Sequence, residues 1–348
     1  MKWFRHIVLP GLGVLLLLTA ALAAWLWQQW QELESRPLAV ETSQTVVVER
    51  GDNLLRLARQ LESEGIIADA ERVRYWSRIS GQGRNIRAGE YRIEPGMTLP
   101  ELVERLERGD VVMYRFTLVE GWTFRQMRQA LARHEAVEHT LEGMSDEDVM
   151  AAIGSAALHP EGWFLPDTYV FPRGTSDRQI LTRAHRAMEE TLESVWSQRD
   201  GGLPLDDPYE ALILASIVER ETGADGERGK VAGVFVRRLR EGMRLQTDPT
   251  VIYGLPEGEF EGRLRYRHLR TDTPYNTYTR HGLPPTPIAM PGRAALEATV
   301  HPEVGEYLYF VSRNDGTHHF SPTLREHNRA VRKYQLGEDI DLGGEGND

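Results

Sequence analysis

Apolar positions change their period several times along the chain, and each change marks an element. After MKWFRH, residues 7–27 (IVLPGLGVLLLLTAALAAWLW) carry no charge, about the length a helix needs to cross a ~30 Å hydrocarbon core. Lys2 and Arg5 precede this run and Glu32 and Glu34 follow it. The positive-inside rule then predicts a single N-terminal transmembrane helix with residue 1 in the cytoplasm. A cleaved signal peptide is the alternative, with Ala21-Leu22-Ala23 as its cleavage site, but the apolar run continues through Trp25, Leu26 and Trp27. Residues 28–42 are polar, show no sustained period and are expected to form a stalk.

From residue 43 the pattern is that of a small α+β unit. TVVVER reads as a β-branched strand, Gly51-Asp52 as a turn with Asp52 as helix N-cap, and positions 54, 55, 57, 58 and 61 are apolar at helical spacing. DAERVRYWSRISG predicts a second helix and NIRAGEYRIEPG a returning strand. Thr98-Leu99-Pro100-Glu101 is a capping box opening the helix TLPELVERLERG, and VVMYRFTLVEG alternates as a strand that closes the unit at about residue 115. A second box, Thr-Phe-Arg-Gln from Thr123, opens a larger mixed α/β unit over 116–335. Its long connections, EGWFLPDTYVFPRGTS (161–176) and NTYTRHGLPPTPIAMPG (276–292), are dense in Pro, Gly and aromatics, as loops that line binding sites are. YLYFVSRNDGTHHF predicts a hairpin turning at Asn314-Asp315-Gly316, and Ser321-Pro322 the start of a last helix to about Tyr334. The acidic residues 336–348 are expected to be disordered. The fold class expected is α+β: one transmembrane helix, a small α+β subdomain and a larger mixed α/β domain.

Composition narrows the chemistry. The chain has 348 residues and 41% hydrophobic content, enough for cores in two domains, and a formal charge of −11 that argues against a nucleic-acid surface. There is no cysteine, so disulfides and thiolate metal sites are excluded. The only lysines are Lys2, Lys230 and Lys333, which disfavours a pyridoxal-phosphate Schiff base, and no cofactor is expected.

The candidate chemistry lies in ALILASIVERETG (211–223). Asp207-Pro208-Tyr209-Glu210 is a third capping box, and Gly223 a natural stop for the helix it opens. At about 100° per residue Glu219 shares a face with Leu212, Ala215 and Ser216, while Glu221 lies about 200° away over Leu214, Ile217 and Val218. Burial and the negative end of the helix dipole both push Glu219 toward the protonated acid that glycosidic cleavage needs at its leaving oxygen. The alternative is a structural pair with Arg220 or Arg228. Ala215 and Ser216 leave room for a ligand or for a close-packed helix. Gln246 and Asn276 carry amides suited to acetamido and hydroxyl groups, or to tying down their own loops. Asp248 is a helix N-cap or a substrate contact. Glu161 is a reserve second carboxylate or an exposed or Arg-paired residue. His318, His319 and His327 show no metal-ligand spacing, and no metal is expected.

Four blocks, ALILASIVERET, VFVRRLREGMRLQTDPTVIYGL, DTPYNTYTRHGLPPTPIAMPG and LYFVSRNDGTHHFSPTLREHN, together resemble the endolytic murein transglycosylase family, the YceG-like proteins. The resemblance runs from the apolar N-terminus to about residue 335. It implies a LysM-like subdomain over 43–115, where VVVERGDNLLRLA follows a LysM opening with Asn53 in place of the common threonine. It also implies lytic cleavage of the MurNAc-GlcNAc β-1,4 bond of peptidoglycan, leaving 1,6-anhydro ends. Glu219 matches the family's catalytic glutamate, acting first as acid on the leaving oxygen and then as base toward the C6 hydroxyl. The implied partners are peptidoglycan glycan strands, cell-wall synthases and the membrane through residues 7–27. The implied location is a bacterial inner membrane with the catalytic domain in the periplasm, where cleavage ends strand elongation. Two other readings stay open: a non-catalytic wall-binding scaffold, and a hydrolytic muramidase, which wants a second carboxylate at about 5–9.5 Å.

Overall fold

The computed structural model describes residues 2–340 and 342 except 157, 225 and 257; for residues 2–11 and 13 it describes the backbone alone. In chain order the elements are α1 (Lys2–Ser35), β1 (Gln44–Val48), α2 (Leu54–Ser63), α3 (Ala70–Ser80), β2 (Gly89–Ile93), α4 (Leu99–Arg108), β3 (Met113–Thr117), α5 (Phe124–Ala132), β4 (Val137–Glu138), α6 (Asp146–Ala152), β5 (Thr168–Pro172), β6 (Thr175–Ser176) and α7 (Asp177–Ser197). They continue with α8 (Pro208–Glu221), α9 (Arg228–Arg240), α10 (Asp248–Gly254), α11 (Tyr266–Arg270), α12 (Arg293–Val300), β7 (Tyr309–Ser312), β8 (His318–Ser321) and α13 (Leu324–Leu336). The fold is mixed α+β, and the chain divides into two compact units, Met1–Tyr114 with Phe171–Gly174 and Arg115–Val170 with Thr175–Asp348.

In the first unit β1 and β2 pair antiparallel with Val46 opposite Tyr91. α2, α3 and α4 bury Leu57, Leu61, Val73, Trp76, Leu102 and Leu106 with these strands in one core. α2 begins one residue later than expected. The Asp52 carboxylate accepts from the Glu49 N–H at 2.9 Å and closes the turn, so Asn53 caps the helix by accepting from the Arg56 N–H at 3.0 Å. The box at Thr98 is present, with Glu101 accepting from the Thr98 N–H at 2.8 Å. Residues 28–35 are the last turns of α1, with Trp30 and Leu33 packed on the core and Glu34 accepting from the Trp76 indole N–H at 3.2 Å. Among the described residues no helix is long and apolar enough to cross a membrane. The expected span opens at residue 7, and the side chains of 7–11 and 13 lie outside the described residues. From Leu12 onward its large apolar side chains, Leu15 to Leu18 among them, are exposed.

The second unit is built around α8. Every residue from Ala211 to Val218 is buried, as expected of a helix apolar on all sides, and α7, α9, α10 and α12 pack around it. Leu212, Leu214, Ile217, Val218, Phe235, Leu296 and Val300 share its core. Asp207 caps α8 through the Glu210 N–H at 2.9 Å, but Glu210 returns to the Asp206 N–H at 2.7 Å and not to the cap's own N–H, so the reciprocal box is displaced by one residue. The helix ends at Glu221 with Thr222 extended (φ −139°), so no left-handed glycine is needed at 223. β7 and β8 form the expected hairpin, Phe310 opposite Phe320, with Asn314 (φ 64°) and Gly316 (φ 89°) in its turn. The last helix, α13, starts after Thr323 and not at Ser321-Pro322, because Ser321 is still paired with Tyr309 in the hairpin.

Candidate active site

The last turn of α8 sends two carboxylates in different directions. Glu219 is held on a loop. Its side chain is 5% exposed, its Oε1 lies 3.4 Å from an Arg228 guanidinium nitrogen, and its Oε2 accepts from the Gly292 N–H at 3.0 Å. The pair with Arg228 is the structural alternative raised above. A second carboxylate approaches the same guanidinium: Glu120 Oε2 is 3.8 Å from Arg228. Burial and then the Glu219 charge raise the Glu120 carboxyl above its ordinary range, with Arg228 opposing. Gly292 is the residue that permits this cluster, since a Cβ there would lie 1.9 Å from Glu120 Oε1.

Glu221 lines a cleft of about 720 Å3, together with Gln246, Asp248, Tyr278, His318 and Asn328 among others. Its Oε1 accepts from the Thr247 hydroxyl. Burial pushes the Glu221 carboxyl up to about 7; the Asp248 charge acts in the same direction, and the Thr247 hydrogen bond, His318 and Arg238 act against it. This is a carboxylic acid that holds its proton near neutrality in a concave site, the property required of a general acid. Arg238 fixes one wall by donating to the Leu308 and Leu245 carbonyl oxygens at 2.7 Å each, with its guanidinium 5.1 Å from the Tyr309 ring centre.

Of the residues singled out in the sequence, Gln246 and Asp248 share this cleft. Gln246 adopts φ 51°, left-handed backbone that a side-chain-bearing residue rarely takes. Asp248 is the first residue of α10 and not its cap, a place taken by Thr247; its carboxylate accepts from the Tyr278 hydroxyl at 2.6 Å. Asn276 is elsewhere, fully buried. It donates to the Thr271 carbonyl at 2.7 Å and accepts from the Tyr278 N–H at 2.9 Å, tying down its own loop. Ser216 is also fully buried. Its hydroxyl donates to the Ile213 carbonyl at 2.7 Å and accepts from the Ile288 N–H at 3.0 Å, so the small face of α8 holds a backbone segment and not a ligand. Glu161 is neither exposed nor paired with arginine. It is buried, accepts from the Phe124 N–H at 2.9 Å and the Tyr253 hydroxyl at 3.1 Å, and burial raises its carboxyl to about 7.

The histidines act separately. His318 pairs with Glu227, His319 leans on Tyr334 and His327 stacks on Tyr309 at 5.3 Å. Among the described residues no three His, Asp or Glu side chains could hold a metal ion.

The profile of the YceG-like family matches residues 46–333, spanning both units. The chain belongs to this family. It is 29% identical over 315 residues to an endolytic murein transglycosylase of Bacillus subtilis (strain 168), covering 84% of this chain and 85% of that one. It is 23% identical over 325 residues to an endolytic murein transglycosylase of Streptococcus pneumoniae strain D39, covering 83% of this chain and 58% of that longer one. A crystal structure of a YceG-like protein from Listeria monocytogenes superposes with a TM-score of 0.52 at 30% identity, over 84% of this chain and all of that one.

Membership of the family does not choose between the two glutamates. Sequence reasoning singled out Glu219, left Glu221 as structural, gave His318 a structural or sugar-contact role, and passed over Glu120 and Glu227. Glu120 carried a weak signal in VEGWT, a carboxylate followed by a turn glycine at the end of a strand.

Proposed function

We propose that this chain is a lytic transglycosylase that cleaves the MurNAc-GlcNAc bond of peptidoglycan and leaves 1,6-anhydro ends. The observation that carries this reading is Glu221: an acid raised to about 7 in a cleft edged by the amides of Gln246 and Asn328, the carboxylate of Asp248 and the phenol of Tyr278. Side chains of this kind hydrogen-bond hydroxyl and acetamido groups. The family relatives named as endolytic murein transglycosylases support the same chemistry.

In this site Glu221 protonates the oxygen leaving C1 of the muramic acid sugar, and the sugar's own C6 hydroxyl closes on C1. Glu219, the match suggested by resemblance, is the rival acid. Its two oxygens are engaged by Arg228 and the Gly292 N–H, which favours Glu221. The enzyme is anchored by residues 7–27 in a bacterial inner membrane, with the catalytic unit on the periplasmic side and residues 43–115 serving as a LysM-like contact for glycan. The charge asymmetry around the apolar run supports this orientation. Cleavage there ends strand elongation beside cell-wall synthases.

Asp248 gives a hydrolytic muramidase its supporting observation, because it places a second carboxylate in the cleft of Glu221. Digestion of purified peptidoglycan followed by mass spectrometry separates the two. Lytic action yields 1,6-anhydro ends, and products with reducing ends alone would assign hydrolysis.

A further inference from the structure

Lytic cleavage moves two protons: one onto the leaving oxygen and one off the C6 hydroxyl. Resemblance assigns both to one carboxylate, yet the cleft holds a second group built for the other transfer. His318, the first residue of β8, lines the cleft with Glu221, and its charge reaches the Glu221 carboxyl. Glu227, just before α9, grips it twice: one carboxylate oxygen accepts from the His318 backbone N–H at 3.0 Å, and the other lies 2.7 Å from Nδ1. Both side chains are largely shielded, 13% and 16% exposed.

A carboxylate only accepts, so Nδ1 carries the hydrogen, and whenever the ring is uncharged its lone pair is at Nε2. Among the described residues no hydrogen bond engages Nε2. The rings of Phe310 and Phe320 meet the imidazole edge to face, at 5.3 and 6.3 Å, and hold its plane. Nucleophile activation elsewhere uses the same order of parts: a hydroxyl, a histidine as base and a carboxylate that fixes its tautomer. Asp248 is less suited to this role, because its carboxylate already accepts the Tyr278 hydroxyl.

We propose that His318, oriented by Glu227, takes the proton of the muramic acid C6 hydroxyl while Glu221 protonates the leaving oxygen; this rests on the transglycosylase reading above. O6 forms its bond to C1 as the bond from C1 to the leaving oxygen breaks. The C6 proton goes to His318 Nε2 and the Glu221 proton goes to the leaving oxygen. The imidazolium then returns its proton to the Glu221 carboxylate before the next turn, so no co-reactant is consumed. His318 is the catalytic residue of this pair and Glu227 a positioning residue.

The test uses the full chain in detergent with purified peptidoglycan. His318→Gln and His318→Asn should lose about 100-fold or more in kcat with KM nearly unchanged. The fraction of reducing ends should rise, because water competes once O6 is no longer activated. Glu227→Gln can donate to Nδ1 and should move the histidine proton to Nε2, read by long-range 1H–15N correlation of labelled histidine, with kcat falling in step. The proposal is overturned if His318→Gln turns over within about threefold of the parent with the same products, or if the wild-type ring already carries its proton on Nε2. It is equally overturned if Asp248→Asn, and not His318→Gln, abolishes the anhydro product. An inactive Glu221→Gln beside an active His318→Gln removes this proposal alone, whereas an active Glu221→Gln removes the reading beneath it.

Discussion

Glu219 and Glu221 stand two residues apart on α8 and end in opposite surroundings. Glu219 closes on Arg228 and the Gly292 N–H, and Glu221 takes the Thr247 hydroxyl at the edge of the cleft. Replacing each with glutamine should therefore separate stability from activity. Glu221→Gln is expected to fold with parental stability or better and to lose at least about 1000-fold in kcat. Glu219→Gln should lower stability by about 2 kcal/mol through loss of a shielded ion pair, while the folded fraction keeps cleaving. Thermal melts beside muropeptide release check both, and an inactive but fully stable Glu219→Gln would return the acid role to Glu219.

The two raised carboxyls fix a pH dependence. Glu161 and Glu221 sit near 7 in the folded protein against an ordinary 4.5. Below 4.5 both states hold these protons. Between 4.5 and 7 the unfolded chain sheds them while the folded chain keeps them, so their contribution to stability falls as pH rises through that window. The melting temperature should decline over it, and Glu161→Gln should flatten the decline. The kcat/KM profile should show an alkaline limb near 7, where Glu221 ionises, and a rate still rising at pH 9 would exclude it as the acid.

Asn276 is structural, and its removal should reach the cleft only indirectly. Asn276→Ala breaks the bonds to the Thr271 carbonyl and the Tyr278 N–H, at a cost of about 3 kcal/mol. Tyr278 carries the hydroxyl that holds Asp248, so KM should rise more than kcat falls. Steady-state kinetics below the lowered melting temperature distinguish this from loss of a substrate contact, which would leave the melt unmoved.

Gln246 trades stability for placement. Gln246→Gly should relieve about 1 kcal/mol of left-handed strain, raising the melting temperature while weakening glycan affinity, as measured by calorimetry with the Glu221→Gln protein as background. A melt that drops instead would mean the amide itself stabilises the loop.

Much of this was legible from local pattern. The boxes at Thr98 and Thr123 and the hairpin at Asn314 depend on neighbours within a few residues, and the structure shows them. Which of the two glutamates meets the cleft was not legible, for a physical reason. Because α8 is buried on every side, periodicity gives the angle between Glu219 and Glu221 but not which direction meets the cleft. That depends on partners far along the chain, Gly292 for one and Thr247 for the other. Ser216 and Asn276 stayed ambiguous for the same cause: a small or amide-bearing residue looks alike whether it faces a sugar or its own backbone.

The cleft also has a consequence in time. Glu221 ends α8, but the walls around it include Tyr309, His318, His327 and Gln335, contributed by the hairpin and α13. A chain emerging from its N-terminus delivers Glu221 long before it delivers these walls. Until α13 docks the cleft lacks its His327 and Gln335 side, so a partly made molecule carries Glu221 in an incomplete groove. The blade is assembled last, by the end of the chain.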